Sequence, residues 1–308
     1  MNQYIDISRI EFVITNACTG KCKHCSNGEQ TERGSSINAD VAADVVRRIA
    51  ERFNVQSVMT FGGEPLLYPD TVCQIHSSAR GCGIPTRQII TNGSFSRDRS
   101  RIDHVAKALC NAGITDVLLS VDAFHQEFLP LDYVMYFAES LLKYNVPSLR
   151  VHPAWLAGED YSNKENEETK RLLAVFSEMG ISASDGNAAV NFPEYFPSTE
   201  TIDFTIPCGE MEYTAPLDDV GSLSIRPNGD VELCSISIGN IYATDILQII
   251  DDYDPYVIPA ANAVLTGGVS ELVSFAESQG VIIDTNGCYS VCAVCRKAMT
   301  ALALLPSP

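Results

Sequence analysis

Ile10-Glu11-Phe12-Val13-Ile14-Thr15, followed after two residues by Cys18-Thr19-Gly20-Lys21-Cys22-Lys23-His24-Cys25, is the stretch from which the rest of this chain can be read. Alternation and β-branching make the apolar run a strand, so the cysteines fall on the loop leaving its C-terminal end, where α/β folds keep their chemistry. Three thiolates in the spacing CxxxCxxC suit an iron–sulfur cube, because soft ligands on one short loop reach three irons and leave the fourth without a protein ligand. A structural zinc loop is the alternative use of the same residues.

Working outward, the strand–loop–helix unit recurs. Asp40 to Phe53 carries Val41, Val45, Val46, Ile49 and Ala50 at helical spacing. Val55 to Phe61 reads as a buried strand ending in Gly62-Gly63-Glu64-Pro65, with a helix from about Asp70 to Arg80. Thr86 to Ile90 is a strand ending in Thr91-Asn92-Gly93, and Arg101 to Ala112 its helix. Asp116 to Val121 ends at Asp122 with Ser120 and His125 beside it, and Tyr133 to Tyr144 follows as a helix. Leu149 to Pro153, carrying His152 and leading to Trp155, then Glu165 to Met179, and finally a sixth strand over Ile181 to Val190 with Ser184-Asp185-Gly186-Asn187, complete the alternation. Six such units predict an α/β fold with a parallel sheet, curled into a partial barrel or flat and doubly wound. Ser26 to Asn38 and Pro197 to Pro207 read as an exposed loop and a linker. Cys73, Cys82 and Cys110 lie on or beside helices and are expected as buried small apolar residues.

Composition narrows the function. A formal charge of -18 argues against a general nucleic-acid binder, which needs cations to displace phosphate counterions. No export signal and no apolar run long enough to span a membrane is visible, which predicts a cytoplasmic protein with no membrane partner. The eleven cysteines are then expected as thiols or metal ligands.

Beyond residue 200 the pattern changes. Ser222 to Arg226 and Val231 to Leu233 flank Pro227-Asn228-Gly229-Asp230, a hairpin signal that ends in Cys234. Helices are expected near Asp245 to Asp252 and within Tyr256 to Gly280, the latter from the spacing of Leu272, Val273 and Phe275. Cys208, Cys234, Cys288, Cys292 and Cys295 all lie in this last third, where a zinc ribbon is the plain alternative to iron.

The cysteine triplet followed one unit later by Gly62-Gly63-Glu64-Pro65 resembles the radical S-adenosylmethionine (SAM) superfamily, in which the residue before the third cysteine is usually aromatic and here is His24. The resemblance implies a partial (β/α)6 TIM barrel over residues 1–200, with a [4Fe-4S] cluster on Cys18, Cys22 and Cys25 and SAM chelating the open iron. Gly62 and Gly63 would let ligand approach the backbone, and Glu64 would accept a hydrogen bond from the methionyl ammonium. Thr91, Asn92, Ser120, Asp122 and His152 inherit places in the SAM pocket, with Asp122 and His125 as candidate catalytic groups. Cys208, the Gly229 to Cys234 segment and Cys288-x3-Cys292-x2-Cys295 resemble a SPASM or twitch extension over residues 201–308. That extension, a small α+β cysteine-rich domain, would carry one auxiliary [4Fe-4S] cluster from four of the five cysteines. The fifth, Cys288 among the candidates, would serve as a catalytic hydrogen-atom donor, or Cys288, Cys292 and Cys295 would carry a site-differentiated cluster.

The implied activity is reductive cleavage of SAM to a 5′-deoxyadenosyl radical and hydrogen abstraction from a substrate carbon, with electrons from a flavodoxin- or ferredoxin-type donor. A ribosomally made peptide is the leading substrate, modified by epimerisation, thioether formation or carbon–carbon crosslinking. A small metabolite or cofactor precursor is the second reading, and a non-catalytic metal-binding protein the third. The first strand begins by residue ten, so leader recognition is expected from a separate protein.

Overall fold

The computed structural model describes residues 2–25, 31, 34–156, 162–184, 187–188, 203–210, 215–285, 288 and 290–305. Chain contacts divide it into two units: Ser8–Asn191 with Ile225–Gly229, and Met1–Ile7 with Phe192–Ser224 and Asp230–Pro308. The first seven residues thus group with the C-terminal part of the chain.

The larger unit follows the alternation. β1 (Ile5–Val13), α1 (Ala39–Arg52), β2 (Ser57–Phe61), α2 (Pro69–Gly81), β3 (Thr86–Thr91) and α3 (Arg99–Ala112) come in turn. β4 (Asp116–Leu119) is followed by a four-residue helix, α4 (Ala123–Gln126), absent from the sequence reading, and by α5 (Leu131–Lys143). β5 (Ser148–Val151), β6 (Ala154–Trp155), α6 (Lys164–Glu178), β7 (Ser182–Ala183) and β8 (Asn187–Ala188) complete the unit. The strands stand in the order β1-β2-β3-β4-β5-β7, each pair parallel. This is the parallel, unclosed sheet of a partial TIM barrel rather than a flat doubly wound sheet.

One expectation is corrected. Ile181 to Val190 is not a single strand: Ser182–Ala183 pairs with β5, whereas Asn187–Ala188 pairs with β6 in a separate two-stranded sheet. The polar turn-forming residues between them give the reason, since Ser, Asp and Gly favour a break over continued pairing. Asp185 and Gly186 themselves, most of the Ser26 to Asn38 loop and residues 197–202 lie outside the described residues.

Strand alternation sorts the side chains into two layers. Ile10 and Phe12 of β1 and Val58 of β2 are wholly buried. Thr60 of β2 shares this outward face and bonds His76 Nε2 of α2 at 2.9 Å. Burying one such aliphatic or aromatic side chain is worth about 1.5–3 kcal/mol, which is what fixes the register of a strand whose slip by one residue would exchange its faces. Arg9, Glu11, Gln88 and Asp116 occupy the opposite, inward face, as their mutual contacts show. Helices start where the sequence supplies caps: Asn38 accepts from Val41 N–H for α1 and Asp98 from Ser100 N–H for α3.

In the second unit, β9 (Val220–Ile225), β10 (Asp230–Leu233) and β11 (Ile236–Asn240) form an antiparallel meander, with β9 next to the first residues of β1. The turn between β9 and β10 has Gly229 at φ +89°, as the Asn-Gly pair predicts. α7 (Ile246–Asp251), α8 (Pro259–Ser278) and α9 (Val291–Ala303) follow, α8 broken at Gly268 and packed on α9. α9 was not foreseen; it carries Cys292 and Cys295. Among the described residues, no helix is long and apolar enough to cross a membrane.

Candidate active site and cysteine centres

The first cysteine loop is fastened to the end of β2 by main-chain bonds. Gly63 N–H donates to Thr15 O and Glu64 N–H to Ala17 O, both at 2.7 Å, while Ile14 N–H donates to Phe61 O at 2.8 Å. The glycines make this approach possible: a Cβ on Gly63 would stand 2.0 Å from Ala17 O, and one on Gly62, whose φ is +147°, 2.7 Å from Thr15 O. Their requirement therefore comes from the stem of the cysteine loop, before any ligand is considered.

Glu64 is fully buried and its carboxylate is engaged by the protein. Oε1 accepts from Thr91 Oγ1 at 2.7 Å and from Leu66 N–H at 2.9 Å, and Oε2 from Asn92 N–H at 2.9 Å. Burial pushes its pKa up to about 7, against these three donors that pull it down. In this geometry Glu64 joins the end of β2 to the end of β3. Asn92 continues the linkage, its amide donating to Cys18 Sγ at 3.6 Å and to Thr19 Oγ1 at 3.1 Å. Ser120 is nearly buried and its N–H donates to Thr91 O at 2.9 Å.

At the end of β4, Asp122 is wholly buried. Its Oδ1 accepts from the N–H groups of Phe124 at 3.0 Å and His125 at 2.9 Å, and its Oδ2 lies 2.7 Å from His125 Nδ1 and 3.0 Å from Ala154 N. Burial alone would raise its pKa, but His125 and these donors bring the balance below the usual carboxylate range. An ionised Asp122 accepts from His125 Nδ1–H and so orients the imidazole ring. His24 packs against this pair, 4.7 Å from the His125 ring centroid and 5.0 Å from that of Phe124. Potential ligand atoms of His24, Asp122 and His125 all lie within 4.8 Å of one another. With both lone pairs of each Asp122 oxygen already accepting, this trio is an oriented histidine pair rather than an open cation site. His152 is placed next along the sheet, Nδ1 at 2.8 Å from Ser184 Oγ, its pKa lowered by burial and then by Arg150.

The donor set fits an iron–sulfur cluster. Burial raises the pKa of Cys18 to about 11 and of Cys22 to about 12, and each is raised further by neighbouring thiols of the same loop. Such buried, mutually repelling thiols ionise only when metal supplies the compensating charge. The surroundings fit an adenosyl ligand as well. Three buried polar atoms with no partner among the described residues, His24 Nδ1, Gln126 Nε2 and Trp155 Nε1, belong to residues that adjoin Asp122. Gln126 accepts from Asp122 N–H, and Trp155 follows Ala154, whose N–H holds Asp122. Unpaired groups of this kind are costly unless a ligand completes them. Sequence reasoning gave Gln126 no role; its position i+4 from Asp122 was the available signal.

The second group of thiols is assembled differently. Cys208 is held by its N–H to Val264 O of α8 at 3.1 Å. Cys234 sits in the two-residue turn between β10 and β11 at φ +55°, a conformation that favours Gly or Asn. Cys292 and Cys295 lie on the first turns of α9. Burial raises the pKa of Cys295 to about 12, with Cys234, Cys208 and Cys292 each adding to it, and Cys208 is likewise raised by burial and then by Cys234 and Cys292. Cys208, Cys234 and Cys292 thus stand near enough to Cys295 to act on it through their charge. Cys288 is buried ahead of α9. Of the helix-borne cysteines, Cys73 and Cys110 are half-buried and Cys82 is exposed, so the expectation of three buried apolar thiols is not met; Cys82 follows the last turn of α2, where the chain turns into solvent.

Residues 12–143 match the model of the radical SAM superfamily. Among curated proteins, the chain is 25% identical over 122 residues to a probable GTP 3′,8-cyclase of Methanocaldococcus jannaschii, covering 40% of this chain and 39% of that one. It is 30% identical over 132 residues to the GTP 3′,8-cyclase of Limosilactobacillus fermentum, covering 41% and 36%. The chain thus spans less than half the length of the curated relatives it matches. Among solved structures, native anSMEcpe with bound AdoMet has a TM-score of 0.55 at 13% identity and covers 96% of both chains. Native anSMEcpe with bound AdoMet and Kp18Cys peptide has a TM-score of 0.51 at 14% identity, covering 96% of this chain and 97% of that one. The fold, the cysteine loop and its fastening to the Gly-Gly-Glu turn all agree with the matched segment: residues 12–143 form a radical SAM domain.

Proposed function

We propose that the protein is a radical SAM enzyme acting on a ribosomally made peptide, with a second, four-cysteine iron–sulfur site. The observation that carries the radical SAM part is the three-thiol loop bonded through its backbone to the Gly62-Gly63-Glu64 turn. When bound, a [4Fe-4S] cluster with SAM supplies one-electron cleavage of the sulfonium and a carbon radical able to abstract hydrogen from substrate. Cys18, Cys22 and Cys25 would hold three irons, and the Asn92 amide would tune the Cys18 sulfur, since hydrogen bonds to cluster sulfurs shift the potential. Glu64 and Asp122 act as positioning residues, one spanning β2 to β3 and the other orienting His125. His125 is the group available to take or return a proton at substrate.

Cys208, Cys234, Cys292 and Cys295 would hold the auxiliary cluster. A cysteine kept in the left-handed region at Cys234 supports this, because backbone strain of about 1 kcal/mol or more persists where function requires it. The peptide reading is supported by the likeness of fold across 96% of the chain to an enzyme whose structure holds a peptide. A small-metabolite substrate is the second reading, favoured by the cyclases matched through the barrel segment. The test is anaerobic reconstitution, then SAM and dithionite. Formation of 5′-deoxyadenosine is expected; its absence from a fully iron-loaded protein overturns the reading. Deuterium uptake into a peptide substrate, against consumption of GTP, separates the two substrate classes.

A further inference from the structure

The inward face of the barrel sheet carries a polar row that the radical chemistry does not use. Strand register places Glu11, Met59, Gln88, Asp116 and Ser148 directly beside one another across β1 to β5. Arg9 reaches this row from one end and Arg150 from the other. The inward layer above it, one pleat nearer the strand ends, is apolar from β1 to β4, with Val13, Phe61, Ile90 and Leu118, and ends on β5 at Arg150, whose side chain reaches back down to Asp116. Two residues along a strand advance about 6.6 Å, so the row is a floor set one side-chain layer below the strand ends.

The floor is saturated in acceptors and left with donors. Asp116 accepts four bonds: from Ser148 Oγ at 2.7 Å, Gln88 Nε2 at 2.6 Å, Arg150 Nη2 at 2.6 Å and Arg150 Nε at 3.3 Å. Arg150 is thereby held in place with its Nη1 unengaged among the described residues. Arg9 bonds Glu11 through Nε at 2.6 Å, but among the described residues its Nη2 meets only the Met59 thioether at 3.0 Å and Gln88 Oε1 at 3.4 Å, and its Nη1 meets none. A thioether is a weak acceptor for a guanidinium. Both arginines are reachable, with side chains 35% and 38% exposed, although they stand on an otherwise buried sheet.

From this we infer that the row is a substrate subsite for an anionic oxo group, a carboxylate or a phosphate, bound by the free guanidinium edges of Arg9 and Arg150 beneath an apolar layer. The inference rests on the reading of the barrel as a substrate-binding enzyme. A carboxylate would come from a peptide, a phosphate from a nucleotide. Glu11 limits the attraction, since its charge competes for Arg9.

The experiment is calorimetric binding of three probes to the reconstituted protein: N-acetyl-Leu-Leu-Gly with a free carboxylate, the same peptide as its C-terminal amide, and GTP. One of the two anions is expected to bind, the amide not to compete, and Arg9→Gln to weaken that anion about tenfold or more, as for a lost charge-assisted bond. Glu11→Gln is expected to move affinity the other way, which loss of folding cannot do. Binding of the acid peptide assigns a carboxylate source, and binding of GTP a phosphate source. The inference is overturned if neither anion binds, or if both substitutions leave binding unchanged in proteins that melt as the parent does. 5′-Deoxyadenosine formation by the unsubstituted protein is read alongside. If it occurs without Arg9-dependent binding, only the subsite fails; if it is missing while such binding persists, the radical SAM reading fails instead.

Discussion

The two groups of cysteines are assembled by different means. In the first, three thiols come from eight consecutive residues, and the fold's contribution is to hold that loop by its stem against Gly62 and Gly63. In the second, four thiols come from three separated places: a segment bonded to α8, a hairpin turn, and the start of α9. A local site can be recognised from spacing alone, and its ligand count is fixed by the loop. A site built by tertiary structure takes its ligands from whichever cysteines the elements bring together, so counting cysteines overestimates it.

Substitutions at the two centres should therefore differ in kind. Cys22→Ala is expected to reduce 5′-deoxyadenosine formation to the background of the dithionite reaction, because a two-thiol loop cannot retain the cluster. Cys234→Ala should leave that cleavage measurable, remove about half of the bound iron and stop product formation, whereas Cys288→Ala should keep the full iron content. Equal iron loss from the last two proteins would erase the distinction drawn between Cys288 and the other four.

The stem offers a sharper contrast. Gly63→Ala places a methyl group against Ala17 O and is expected to lower stability by about 3 kcal/mol or more, read as a fall in melting temperature together with poor iron loading. No residue of the second centre should show this coupling of a methyl group to metal retention.

The smallest effect concerns acid. All five histidines lie in the barrel unit, and His76 is buried neutral, its pKa lowered to about 3 by burial and then by Arg87. The unfolded chain takes up a proton near pH 6.5 that folded His76 refuses until about pH 3. Stability from this residue is present above about 6.5 and lost as pH falls toward 3, by at most about 1.4 kcal/mol per pH unit. His76→Gln, which can still bond Thr60, should flatten the acid limb of the pH–stability curve measured by urea titration; an unchanged slope would place the sensitivity elsewhere.

Much of this was legible in the residues. Six β/α units, the cysteine loop, the Gly-Gly-Glu turn and the Asn228-Gly229 hairpin follow from local periodicity and turn chemistry, which act within a few residues. What was not legible depends on long-range pairing. The side chains of Glu64 and Asp122 read as ligand contacts, yet each is engaged by protein donors brought in from other strand ends. Where the late cysteines fall depends on α8 and α9, and the one local signal for α9 was its cap, Ser290, whose side chain accepts from Ala293 N–H. The arginine floor left a signal that went unread: Arg9, Glu11, Gln88, Asp116 and Arg150 are polar residues at alternate positions of strands whose other face is apolar.

The break in α8 has a consequence for biosynthesis. A Cβ on Gly268, at φ +67°, would lie 2.7–2.8 Å from the backbone of residues 204–206, and Ser270 N–H, released from the helix, is taken by Phe204 O at 2.9 Å. The notch thus clamps the strand of chain leading to Cys208, whose own N–H is held by Val264. Until residues 259–278 have left the ribosome, Cys208 has no fixed address, and Cys292 and Cys295 emerge later still. A metal held by Cys208, Cys292 and Cys295 would accordingly have to wait for α8 and α9, whereas the loop of Cys18, Cys22 and Cys25 is made before either helix.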